Sequence, residues 1–91
     1  MLEVIWTNQA VTSLNEIYSF YWDKSEKGAR NVINDLVKAP ETIKFPKQYQ
    51  RDEFNSSYRR VIVRTFKLLY RVEDSRIVIM DVVGTSENPI Y

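Results

Sequence analysis

The chain contains no cysteine and no histidine. Without cysteine there is no disulfide framework and no thiolate metal site. Without histidine it loses the usual neutral-pH general base and the commonest zinc ligand. Serine–histidine triads, cysteine–histidine dyads and zinc hydrolases are therefore excluded, and neither a metal nor a cofactor is expected. Glycine is scarce, with two residues, and proline numbers three, which argues against a disordered or repeat-built chain. Long apolar runs are missing too. The longest, from Ile77 to Val83, is interrupted by Asp81 and falls far short of a membrane span. The opening, Met1 to Trp6, lacks the basic and long apolar regions of a signal peptide. The expectation is a soluble, cytoplasmic protein with no membrane partner.

A large excess of one charge is also absent. Thirteen basic and twelve acidic side chains leave a net charge of +1, which is not the balance of a non-specific nucleic-acid binder. The basic residues are unevenly placed, however, and gather between Arg51 and Arg76. What the chain does have is apolar mass: 44% of its residues are hydrophobic, including six Tyr, four Phe and two Trp. Ninety-one residues suit one domain, residues 1–91, and a chain this short needs an efficient core.

Leu2 to Trp6 reads as a short strand, with Thr7 or Asn8 placed to N-cap a helix after it. Ala10, Leu14, Ile17 and Tyr21, flanked by Val11 and Tyr18, fall at helical spacing and predict a helix ending near Asp23. Ser25 is a second N-cap candidate, with Glu26 in the first turn suiting the helix dipole. Ala29, Val32, Ile33, Leu36 and Val37 form the next helical stripe, and Pro40 stops or kinks it. So tight a connection predicts an antiparallel helical hairpin.

Residues 46–57 show no sustained period and read as a loop. Three strand signals come next: Tyr58 to Val63, Phe66 to Val72, and Arg76 to Val83. Arg64-Thr65 and Asp74-Ser75 are short enough for hairpin turns, though neither is an ideal turn pair. The tail from Thr85 to Tyr91 carries Pro89 and reads as irregular. The predicted fold is α+β, in the order β-α-α-β-β-β: an antiparallel sheet with a helical hairpin packed on one face.

Strand alternation assigns the faces. With two-residue turns, Arg59, Val61, Val63, Phe66, Leu68, Tyr70, Val72, Ile77, Ile79, Asp81 and Val83 share the face toward the helices. The opposite face then carries Arg60, Ile62, Lys67, Leu69, Arg71, Val78, Met80 and Val82. Three cations beside five apolar side chains, with no third layer to cover them, describe a binding surface. The alternative is that the loop at 46–57, with Tyr49 and Phe54, folds over this face as a local lid. A partner using the face would bury Ile62, Leu69, Met80 or Val82, with Arg60, Lys67 and Arg71 as positioning charges.

There is no glycine-rich phosphate loop, no paired-carboxylate spacing and no helical metal motif. Asp81 is the one acid inside an apolar strand. It is a candidate base, although a strand-end Asp paired with a nearby Arg or Lys is the commoner arrangement. Trp6, Trp22 and the tyrosines read as core and rim packing, since no exposed strand shows the aromatic row of an RNA-stacking platform.

The opening Val4-Ile5-Trp6-Thr7, with Ala10, Leu14, Ile17 and Tyr21, resembles the start of ParE-type toxins. Ser25, Ala29, the Leu36 region and Pro46 come next in the right order. Tyr58-Arg59-Arg60, then Phe66 to Val72, then the apolar strand to Val83 is similar to the ParE hairpin in content and length. The resemblance spans residues 2 to 89 and identifies a RelE/ParE superfamily member, the toxin of a type II toxin–antitoxin module. It implies growth inhibition and neutralisation by a cognate antitoxin. It also implies one of two targets: DNA gyrase for ParE-like members, or messenger RNA on the ribosome for RelE-like endoribonucleases.

On the nuclease branch, Lys67 stands at the position of a strand arginine and Arg59 or Arg60 near an earlier basic position. Arg71 would join them, and Tyr91 lies close to a C-terminal tyrosine. The arginine that those enzymes place after the last strand is replaced here by Thr85-Ser86. With no histidine as substitute, the resemblance favours the gyrase-inhibiting branch, and whether the chain is an enzyme stays open.

Overall fold

The computed structural model describes residues 2–85. Its first strand, β1 (Glu3–Trp6), is too short to stand alone. Thr7 then adopts an extended backbone, and its Oγ1 accepts the Ala10 amide at 3.2 Å to cap helix α1 (Asn8–Trp22). The same hydroxyl donates to the Ile79 carbonyl at 2.8 Å, so one side chain both starts the helix and ties it to the last strand. Ser25 caps α2 (Glu26–Lys38) through the Gly28 amide. Glu26 in the first turn and Lys38 in the last complement the helix dipole. The α-helix stops before Pro40, and the chain tightens into a 3-10 turn, Ala39–Thr42. Ala10, Ser13 and Ile17 of α1 and Ala29, Val32 and Leu36 of α2 repeat at helical spacing and are buried.

The remaining strands are β2 (Arg59–Val63), β3 (Phe66–Glu73) and β4 (Arg76–Gly84). Pairing of Val63 with Phe66 and of Glu73 with Arg76 leaves two-residue turns. Arg64 (φ 57°) and Asp74 (φ 56°) lead these turns in left-handed conformation, a place where glycine is usual. The sheet order is β1-β4-β3-β2. β2, β3 and β4 form an antiparallel meander, while β1 pairs parallel to β4. The sheet is therefore mixed, with the helical hairpin as part of the crossover between its parallel pair. Phe66, Leu68 and Tyr70 from β3 and Ile77, Ile79 and Val82 from β4 meet Ala10, Ile17, Val32 and Leu36 in one core.

One irregularity corrects the face assignment. Tyr70 pairs with Ile79 but Leu69 pairs with Asp81, so Met80 is an extra residue in β4. A β-bulge of this kind resets the two-residue alternation beyond it. Val82, expected on the outer face, comes opposite Leu68 and is fully buried in the core. Val83, expected on the helix side, comes into register with the outer-face residue Lys67, whereas Asp81 keeps to the helix side as expected, where its carboxylate accepts the Ser13 hydroxyl of α1. Among the described residues, no helix is long and apolar enough to cross a membrane.

Candidate functional site: the outer face of the sheet and its cover

The sheet face away from the helices divides in two. Over β2 and the adjoining part of β3, the segment between the 3-10 turn and β2 folds back as a cover. It runs along the free edge of β2. Arg51 bridges to Arg59, the Asp52 amide donates to the Tyr58 carbonyl at 2.9 Å, and the Arg60 amide donates to the Gln50 carbonyl at 3.2 Å. From that edge Asp52 reaches under the loop and is only 1% exposed. Its Oδ2 accepts the backbone amides of Phe54 (3.1 Å) and Asn55 (2.8 Å) and the Asn55 side-chain amide (3.3 Å). Its Oδ1 accepts Lys67 Nζ at 2.5 Å and lies 3.8 Å from the Arg60 guanidinium. The Phe54 ring completes the roof, its centroid 5.1 Å from the Lys67 ammonium.

This is a buried ion pair: Lys67 is 4% exposed, and its neighbour on the same face, Leu69, is buried as well. Burial is the largest single influence on the Asp52 carboxyl and pushes its pKa up. The hydrogen bonds from Lys67 and Asn55, with the lysine charge, together outweigh it and hold the pKa below its ordinary value. Asp52 is thus ionised at neutral pH, and Lys67 faces a carboxylate instead of solvent.

The rest of the outer face is open. Ile62 is 55% exposed. Val78, Met80 and Val83 are half-buried, and Arg71 is exposed beside Glu73, with which it forms an ion pair. Of the residues expected to form the surface, Ile62, Arg71 and Met80 remain accessible. Arg60, Lys67 and Leu69 sit in the covered half, and Val82 is in the core. The local lid of Tyr49 and Phe54 is realised over half of the face. Tyr49 packs against the core and hydrogen-bonds Thr42 across the loop, while Phe54 does the covering. Tyr91 lies outside the described residues.

Among the described residues, Asp81 pairs with no cation. It accepts the Ser13 hydroxyl of α1 at 2.5 Å and the Val82 amide at 2.7 Å. Both partners are neutral donors, and through them the acid joins the bulge to the first helix. Among the described residues no group of acids is arranged to hold a metal ion.

The same fold and chain length recur in known proteins. The family model described as "ParE toxin of type II toxin-antitoxin system, parDE" matches residues 4–89. The chain belongs to the ParE toxin family. Among solved structures, one from a chromosomal ParDE toxin–antitoxin system of P. aeruginosa superposes with a TM-score of 0.80. The match covers 94% of this chain and 98% of the other, at 21% identity, a likeness of fold. No curated protein matches significantly.

Within this ParE-family chain, sequence reasoning missed Asp52 altogether. Its only sequence signal was an acid set among Arg51, Arg59, Arg60 and Lys67, and a loop without periodicity gave no means of aiming it. Ser13 was missed as well. It is a serine at a core-facing position of α1, and such a position calls for a buried polar partner.

Proposed function

We propose that this chain arrests growth by binding and not by cutting, with DNA gyrase as target, and that a cognate antitoxin neutralises it by covering the open half of the outer face. The observation that carries the reading is the Asp52–Lys67 pair. Cleavage of RNA needs cations free to meet the phosphate as its charge grows, together with a group that moves protons. Lys67, the strand cation best placed for that task, is buried against a carboxylate under Phe54. Asp81, the one acid within the strands' apolar run, is held by two neutral donors, and the chain has no histidine.

On this reading the protein works in the cytoplasm. The antitoxin segment is short and gains structure on binding, with Ile62, Met80 and Arg71 at its centre. The deciding experiment is the purified protein in a gyrase supercoiling assay and, in parallel, in cell-free translation. Inhibition of supercoiling with intact messenger RNA is expected. Cleavage of ribosome-bound messenger RNA by the wild-type protein would establish the endoribonuclease reading in its place. In cells, expression alone should stop growth and the partner encoded beside it should restore growth; normal growth at verified levels of soluble protein would overturn the toxin reading.

A further inference from the structure

The two helices present very different outer faces. α2 carries five charged residues in thirteen, Glu26, Lys27, Arg30, Asp35 and Lys38, which makes an ordinary solvated surface. α1 carries one charge in fifteen residues, Glu16. Its exposed positions are otherwise neutral amides and hydroxyls (Asn8, Gln9, Thr12, Asn15, Ser19) and large apolar groups. Phe20 is 53% exposed and Trp22 is 42% exposed, with the Tyr18 ring against Trp22 at 5.4 Å and tilted by 40°. Depletion of charge with enrichment of aromatics is the composition of an interface centre. This surface lies on the helix side of the sheet, away from the Asp52–Lys67 cover.

Its charge and shape select an occupant. Two open depressions flank Ser19. One is lined by Tyr18, Ser19, Trp22 and Asp23; the other runs from Thr12 and Glu16 to Phe20 and again includes Asp23. The charges lining both are acidic. The C-terminal end of α1 adds the negative pole of the helix dipole, and no basic residue stands in its last turn. The chain itself shows what such a surface takes. Lys24, just beyond the helix, lies over the Phe20 ring at 5.0 Å, a cation–π contact. Phe20 has its cation, whereas the tilted Trp22–Tyr18 pair, beside Asp23, has none over it among the described residues.

We infer that the outer face of the C-terminal half of α1 is a docking surface for a basic protein segment, with an arginine or lysine side chain seated on Trp22 and Tyr18 and paired with Asp23. Glu16 sets the charge of the rim. The inference is independent of the gyrase reading, because it concerns a different face and a different assay.

The test uses the full chain and two helical peptides of leucine and arginine, identical except that the second carries glutamate for arginine. Backbone amide shifts are followed by NMR. The arginine peptide should move amides of residues 12–24, and its binding should weaken as salt is raised. Asp23→Asn and Trp22→Ala, both surface changes, should each weaken it about two- to fivefold. Amide spectra of the free variants, unchanged elsewhere, show that the fold is kept. Equal response to the glutamate peptide, or shifts confined to the sheet, would overturn the proposal. So would self-association of the chain that Trp22→Ala abolishes, or binding to phosphatidylcholine–phosphatidylglycerol vesicles through this face with no response to the arginine peptide.

Discussion

Asp52→Asn removes one charge from the covered half of the sheet and little else. The amide keeps an oxygen for the Phe54 and Asn55 backbone donors. Lys67, 4% exposed, is left with its ammonium buried and its counter-ion gone. Breaking a buried pair by removing one partner costs about 3–5 kcal/mol, against a total stability of roughly 5–14 kcal/mol for a domain of this size. The molecule has one way to reduce that cost, which is to open the loop and hydrate Lys67. The global loss is therefore capped at the free energy of loop opening.

Urea unfolding and hydrogen exchange together read both quantities. The Asp52→Asn unfolding midpoint should fall. The amides of Asp52, Tyr58 and Arg60, which hold the cover in place, should lose protection before those of β3 and β4 do. Adding Lys67→Met should recover most of the loss, since an apolar side chain of similar length needs no counter-ion. The pair also has a pH signature. The Asp52 pKa is lower in the folded state than in the unfolded chain. Its contribution is present above the unfolded value and disappears as pH falls through the folded one. Wild-type stability should therefore drop below about pH 4 more steeply than that of Asp52→Asn. If the single variant shifts stability by less than about 0.5 kcal/mol and leaves loop protection unchanged, the pair is worth no more than a surface contact. Lys67 could then be freed for a phosphate at little cost, and the nuclease reading would regain ground.

Three further outcomes rest on particular side chains. The Tyr70 hydroxyl is buried and makes no close hydrogen bond among the described residues, the Tyr49 backbone amide acting on it only weakly, so Tyr70→Phe should be neutral or raise stability by up to about 1 kcal/mol in thermal unfolding. Burial raises the Tyr70 pKa, against the opposing pull of Arg59 and the Tyr49 amide. Wild-type stability should thus fall as pH rises past about 10, where the unfolded chain ionises first, and the phenylalanine variant should lose that part of the decline. Asp74→Gly should stabilise by about 0.5–1 kcal/mol, because glycine adopts the φ of 56° without strain; chemical denaturation measures it. Thr7→Ala loses both the α1 cap and the bond to Ile79 and should cost about 2 kcal/mol in the same measurement.

The element order was legible because the helices and strands announce themselves at their own periods. Thr7 and Ser25 were readable as caps because a hydroxyl before a helical stripe has one economical use. Face assignment worked along β2, β3 and the first half of β4 for the same reason. It failed at Val82, since nothing in Ile79-Met80-Asp81 marks an inserted residue. The bulge is set by pairing across the sheet and by the Ser13–Asp81 bond from a helix 68 positions away. The parallel docking of β1 was also invisible, because four residues carry no preference for one strand direction. The cover was only half legible: the loop could be foreseen as a lid, but its latch depends on where a single carboxylate points.

The pairing of β1 with β4 ties Glu3 to Arg76 and Trp6 to Ile79, which joins two strands made at very different times. At ribosomal speeds of roughly 5–20 residues per second, on the order of 4–15 s separate their synthesis. During that interval the helical hairpin and β2 exist without the strand that fills the middle of the core. A chain cut short before β4 has neither the sheet order nor the Thr7 anchor. Whatever harm this molecule does to its host therefore begins only once β4 has left the ribosome, and a product truncated ahead of that strand should be inert.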